Sequence, residues 1–232
     1  MDTFIVTCEH GGNRIPAPFR QLFRGQRALL DSHRGWDAGA LVMARALAKA
    51  WQAPLVASTT SRLVVDLNRS IGHPQLFSES TRNAPAETRA QIMAQCYLPY
   101  RDQVERLVGQ GVSRGHRVVH LSSHSFTAEL NGSVRSADVG LLYNPARPGE
   151  SALCARWKES LGASSPELRV RRNYPYAGKG DGLTSHLRRR FGQHDYVGIE
   201  LELNQSLVAS AAPRWIALRR VLIDSLKKAC VP

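Results

Sequence analysis

The chain has 232 residues, 43% of them hydrophobic and 22% charged, which suits one α/β domain with a packed core and excludes a mainly disordered chain. No apolar run approaches the roughly 20 residues of a membrane-spanning helix, and Met1-Asp2-Thr3 does not open a basic-then-apolar export signal, so neither a membrane span nor secretion is expected. The net charge of +12 rests on 26 arginines against five lysines; they are scattered without aromatic interleaving or zinc-finger spacing, which argues against a specific nucleic-acid partner and for guanidinium recognition of small anions.

In chain order, the apolar run 4–7 predicts a buried strand that ends in the turn Glu9-His10-Gly11-Gly12. Helical spacing of apolar residues covers 37–51, and short apolar runs predict strands at 55–57 and 63–65. A polar loop over 70–83 precedes a long helix over 85–108, kinked or divided at Pro99. A strand at 118–121 feeds Ser122-Ser123-His124-Ser125. Further strands are expected at 140–143, ending at 170, and over 196–203, with helices at 151–161, 183–191 and 214–228. Alternating strands and helices imply an α/β fold with a mostly parallel mixed sheet and helices on both faces. No linker or repeat interrupts it, so 1–232 is expected to form a single domain. Four widely spaced cysteines, Cys8, Cys96, Cys154 and Cys230, make no C-x-x-C pair and read as reduced thiols in a cytoplasmic protein.

Sites in such sheets form beyond the carboxyl ends of strands, and His10, Arg62, His124 and Glu200 fall at or near predicted ends. His116, His120 and His124 would form a metal-binding face on a helix, but Val118-Val119 argues for a strand, where positions four apart lie about 13 Å apart. His116 and His120 are therefore read as structural or surface groups and His124 as a candidate. Glu9-His10-Gly11-Gly12-Asn13 joins an acid to an imidazole where glycines permit close approach of a ligand, or else forms a tight turn with a helix N-cap at Asn13. Asp37 either serves a site or starts the helix after it. In the stretch from Ser61 to Arg69, two arginines and Asn68 flank an apolar core, and Asp66 can hold a guanidinium. Such a set can bind a carboxylate and orient a carbonyl; the plainer reading is an ion pair at a strand end.

Taken in order, Cys8-Glu9-His10-Gly11-Gly12-Asn13-Arg14-Ile15-Pro16, Ser61-Arg62 through Asp66-Leu67-Asn68-Arg69, His124-Ser125-Phe126, Asn173-Tyr174-Pro175-Tyr176 and Ile199-Glu200 resemble the N-formylglutamate amidohydrolase family over nearly the whole chain. The Asp-Leu-Asn-Arg element also resembles that of aspartoacylases and, more distantly, zinc carboxypeptidases. The resemblance implies a phosphorylase/hydrolase-like fold and a metal-dependent hydrolase that cleaves the amide of a small anionic N-acyl amino acid. It implies a divalent ion, Zn²⁺ by preference, on His10 and His124. Where related enzymes carry the carboxylate of an H-x-x-E ligand pair this chain has Asn13, a poor zinc ligand, so the third ligand is sought at Asp37 or Glu9, with Asp37 preferred.

Within that scheme Glu200 is expected to transfer the proton, and Arg69 or Arg62 to clamp the substrate carboxylate or stabilise the oxyanion. Asn68, Ser125, Asn173 and Tyr176 are expected to bind substrate, although Asn173 and Tyr176 also fit an ordinary turn. Glu202, two residues along the strand from Glu200, either sits beside it and raises its pKa or lies one pleat further from the metal and pairs only with an arginine, and the second is preferred. The alternative from a different class is a metal-free basic protein on the same scaffold that binds anions or nucleic acid.

Overall fold

Short runs that are apolar on both faces make strands buried on both sides, and the computed structural model, which describes residues 1–209 and 212–230, builds the middle of its sheet this way. β1 (Asp2–Cys8) lies between β2 (Leu55–Ala57) and β3 (Arg117–Phe126), all three parallel. A small hairpin, β4 (Glu129–Leu130) and β5 (Ser133–Val134), follows, and then β6 (Val139–Leu142), β7 (Val170–Arg172) and β8 (Tyr196–Asn204). β8 runs parallel to β3, and β6 runs antiparallel to β8 with β7 parallel beside it. The order β2-β1-β3-β8-β6-β7 is the expected mostly parallel mixed sheet.

The helices are α1 (Arg27–Asp31), α2 (Ala40–Trp51), α3 (Ala86–Ile92), α4 (Leu98–Ser113), α5 (Pro148–Ser164), α6 (Leu183–Arg190), α7 (Gln205–Val208) and α8 (Ala212–Cys230). On one face α2, α5 and α8 bring Met43, Leu47, Trp157, Leu161, Leu222 and Leu226 against Val119, Leu121, Ile199 and Leu201. Trp157 keeps its polar atom satisfied there, its Nε1–H reaching Ser225 Oγ at 3.1 Å. On the other face α3, α4 and α6 pack Ile92, Val104, Val108, Leu183 and Leu187 against Ile5, Val118 and Tyr196.

Alternation along the central strands decides where the site sits. Val119 and Leu121 of β3, with Ile199, Leu201 and Leu203 of β8, enter the first core. Residues of opposite parity point to the other face, and these are His120, Ser122 and His124 on β3 and Glu200 and Glu202 on β8.

Two expectations change and one holds. Residues 63–65 are not a strand: Leu63, Val64 and Val65 are buried in a turn whose Leu63 carbonyl accepts from Ser78 Oγ, because a short apolar run is driven inward whatever its backbone does. β3 continues through Phe126, so His124 lies within the strand and Glu200 in the middle of β8, neither beyond an end. The long helix is divided as anticipated near Pro99, with a widened turn over Met93–Tyr97 ahead of α4 that accommodates the missing proline N–H.

Candidate active site

Four segments converge on the polar face. His10 follows β1 directly; a Cβ at Gly12 would come within 2.8 Å of the Thr59 carbonyl, so this glycine packs the turn against the chain after β2 and does not form a ligand cradle. Asp37 sits in the loop before α2, its backbone N–H donating to the His10 carbonyl at 2.9 Å. His124 comes from β3, and Arg62 and Asp66 from the buried turn. His10, Asp37, Asp66 and His124 are buried, with Arg62 partly so.

Asp37 Oδ2 lies 2.9 Å from His124 Nδ1 and 3.3 Å from His10 Nδ1. The second nitrogen of each ring meets another carboxylate: His10 Nε2 lies 2.7 Å from Asp66 Oδ1, and His124 Nε2 lies 2.9 Å from Glu9 Oε2. Glu9 is fully buried and is fixed by hydrogen bonds from Tyr100 Oη at 2.8 Å and Ser122 Oγ at 2.6 Å. Arg62 spans the two aspartates, reaching Asp66 at 2.7 Å and Asp37 at 3.3 Å.

A neutral imidazole has one N–H to donate, yet each ring here faces carboxylates on both sides. Without another cation the rings must carry the missing charge. Burial pushes the His124 imidazole down, but the hydrogen bonds to Asp37 and Glu9 outweigh it and hold its pKa well above the ordinary value. His10 is raised as well, with burial and Arg62 opposing and Asp66 and Asp37 prevailing. Burial also works against ionisation of Asp37 and Glu9, and the adjacent histidines bring both well below the usual carboxylate range.

That donor set suits a divalent cation. One ligand atom from each of His10, Asp37 and His124 can be chosen so that all lie within 4.8 Å of one another. The separations of 2.9 and 3.3 Å are close to the edge, about 3.3 Å, of a tetrahedron with 2.0–2.1 Å bonds. Asp66 and Glu9 would accept the Nε2 protons, fixing the tautomer that leaves Nδ1 free for the ion, as carboxylates behind metal-bound histidines do. Glu9 is thus placed behind the donor set, and Asn13 donates to Asp31 on the surface instead of capping a helix.

The cavity in front of these groups measures about 370 Å³ and is also lined by Arg69, Asn68, Ser125, Tyr176, Glu200 and Glu202. Arg69 donates to the Asp181 carbonyl at 3.1 Å. Asn68 Oδ1 accepts from the Leu183 backbone N–H at 2.7 Å. Ser125 donates to the Ala38 carbonyl at 2.7 Å, and Glu200 accepts from Thr184 Oγ1 at 2.5 Å. Asn173 is not brought to this wall; its Oδ1 accepts the Tyr143 and Gly178 backbone N–H groups, each at 3.0 Å, and so shapes the turn.

Glu202 departs most from expectation. It forms no ion pair with an arginine among the described residues, it lines the cavity, and its buried Oε2 has no hydrogen-bond partner. Burial pushes its carboxyl up to about 8, the nearby His124 opposing and Asp37 and Glu200 adding to the rise. Period-two alternation along β8 places Glu202 on the same face as Glu200, and that pattern was readable beforehand. The roles of Glu9, Ser122 and Tyr100 depend on long-range contacts and were not.

The sequence matches the model of the family described as N-formylglutamate amidohydrolase over residues 2–209. Among solved structures, a gene product of Agrobacterium tumefaciens is 28% identical, with a TM-score of 0.83 over 97% of this chain and 89% of that one. An N-formylglutamate amidohydrolase from Ralstonia eutropha is 19% identical, with a TM-score of 0.69 over 99% and 94% of the two chains, and shows the shared fold. Comparison with curated proteins gives no match. The chain belongs to the N-formylglutamate amidohydrolase family, hydrolases of amide C–N bonds.

Proposed function

We propose that the chain hydrolyses the amide of a small anionic N-acyl amino acid, with a divalent ion, Zn²⁺ by preference, held by His10, Asp37 and His124. The observation that carries this reading is the convergence of two histidine Nδ1 atoms on one Asp37 oxygen, each ring backed by a further buried carboxylate. When bound, such an ion supplies Lewis acidity and brings the pKa of water toward neutrality.

The chain's own groups supply the rest. Arg69, on the cavity wall, clamps the substrate carboxylate with the edge of its guanidinium, and Asn68, its Oδ1 already engaged, offers its amide N–H groups. Arg62, held by two aspartates, presents fixed positive charge to the developing oxyanion. Ser125 is locked onto the Ala38 carbonyl and shapes the wall, with Tyr176 at the rim. Of the two carboxylates on β8, Glu202 suits proton transfer better than Glu200, because its Oε2 is uncommitted whereas Glu200 is engaged by Thr184. Glu202 takes a proton from the attacking water, whose oxygen ends on the acyl carbon; the C–N bond breaks and Glu202 returns that proton to the leaving nitrogen, giving the carboxylic acid and the free amine. The sheet that carries the site draws on residues from Asp2 to Asn204, which supports one catalytic domain. The four free cysteines support a cytoplasmic setting.

The test is turnover of a panel of N-acyl glutamates, starting with N-formylglutamate, by protein as purified, after chelation and after reloading with Zn²⁺. Loss on chelation and recovery on reloading is the expected result. Undiminished turnover after complete chelation, or no turnover of any panel member by reloaded protein, contradicts the proposal.

A further inference from the structure

The cavity does not end at Arg62. A second chamber of about 520 Å³ adjoins it, with Asp37, Arg62, Ser125 and Tyr176 lining both. Arg69 and Asn68 line only the inner chamber, whereas Leu63, Phe77, Phe126 and Leu130 line only the outer one. Its aromatic side is braced: the Arg135 guanidinium lies 5.7 Å from the ring centre of Phe126 and 5.1 Å from that of Tyr176, and donates to the Tyr176 hydroxyl at 3.1 Å. A cation between two rings holds both in place. At the rim Glu79 faces both Arg34 and Arg82 and so offsets only one of the two charges, while Leu63, Phe77, Phe126 and Leu130 form an apolar strip within an otherwise polar lining.

Building on the amidohydrolase reading, we propose that the outer chamber receives the acyl group of the substrate, and that this group is aromatic or medium-chain aliphatic. A carboxylate on Arg69 directs the amino-acid side inward, and the scissile carbonyl then lies beside Asp37 and Arg62. The acyl group must continue past Arg62 into the outer chamber. A formyl group has a single carbon and leaves that chamber to water, whereas each methylene buried there favours binding roughly fourfold.

The experiment compares kcat/KM of the Zn²⁺-loaded enzyme for formyl-, acetyl-, butyryl-, hexanoyl- and phenylacetyl-glutamate, and for formyl derivatives of larger amino acids. Hexanoyl or phenylacetyl should exceed acetyl by at least tenfold. Leu130→Trp, which fills the chamber, should reduce that ratio at least tenfold, and Leu130→Ala should reduce it several-fold; a ratio within one variant is insensitive to partial loss of folded enzyme. Turnover of formylglutamate with no gain for larger acyl groups, a gain confined to the amino-acid side, or a ratio unmoved by both variants overturns this proposal and leaves the amidohydrolase reading standing. Turnover of no compound overturns both.

Discussion

Glu202 and His124 are register partners on the adjacent parallel strands β8 and β3. Paired positions share a face and are separated by one strand spacing, about 4.8 Å, so the carboxylate of Glu202 belongs beside the donor set. Glu200 pairs with Ser122, one pleat back along the strand. The expectation that Glu202 would be the more distant of the two is therefore reversed.

Glu202→Gln keeps the shape of the side chain but cannot accept a proton. It is expected to lower kcat by about 10²–10⁴-fold with KM and metal content nearly unchanged. Glu200→Gln should cost less than about tenfold. Steady-state kinetics on both variants decides the matter, and the opposite ranking returns the proton-transfer role to Glu200.

The carboxylates behind the two rings should govern metal affinity more than chemistry. Asp66→Asn and Glu9→Gln are each expected to weaken zinc binding about 10–100-fold in a competition titration against a chelator. Asn13→Ala, altering a surface contact to Asp31, should leave it unchanged. Equal affinities across all three variants would show that the buried pairs do not orient the rings.

Arg69→Lys retains the charge but loses the planar fork. If Arg69 grips the substrate carboxylate equally in ground and transition states, KM rises while kcat changes little, and the effect shrinks for substrates whose carboxylate is amidated. A fall in kcat alone would place Arg69 at the oxyanion instead.

Much of this was legible beforehand because it is local. Phe4-Ile5-Val6 and Tyr196 to Leu203 are apolar enough to declare buried strands, and the histidine, arginine and aspartate motifs lie in the segments that meet at the cavity. What escaped notice depends on tertiary context. Ser122 to Ser125 look like a loop because they are polar, yet they pair as strand because their side chains are satisfied by Glu9, Asp37 and the chain around Ala38 and Ala40. An arginine excess suits anion recognition, but Arg101, Arg147 and Arg188 cross-link distant segments by donating to backbone carbonyls of the 67–69 turn, α6 and β8. No local pattern separates a guanidinium used for packing from one used for substrate.

His120 gives a pH test outside the donor set. It is buried between Thr7 and Tyr196, and burial pushes its imidazole down from 6.5 to about 4. Because the unfolded chain takes up this proton first, the stability due to a neutral His120 is present above pH 6.5 and is lost as pH falls toward about 4, amounting to about 3 kcal/mol. NMR of the ring nitrogens should find His120 neutral at pH 5. Half-protonation near pH 6.5 would contradict the buried placement.

The central claim is that His10, Asp37 and His124 together hold one ion, and elemental analysis of protein purified without chelator tests it most directly. The account predicts about one divalent ion per chain, with occupancy falling sharply in His10→Ala, Asp37→Ala and His124→Ala while the variants remain folded by circular dichroism. Wild-type protein carrying no divalent ion even after equilibration with Zn²⁺, or variants that retain full occupancy, would contradict it.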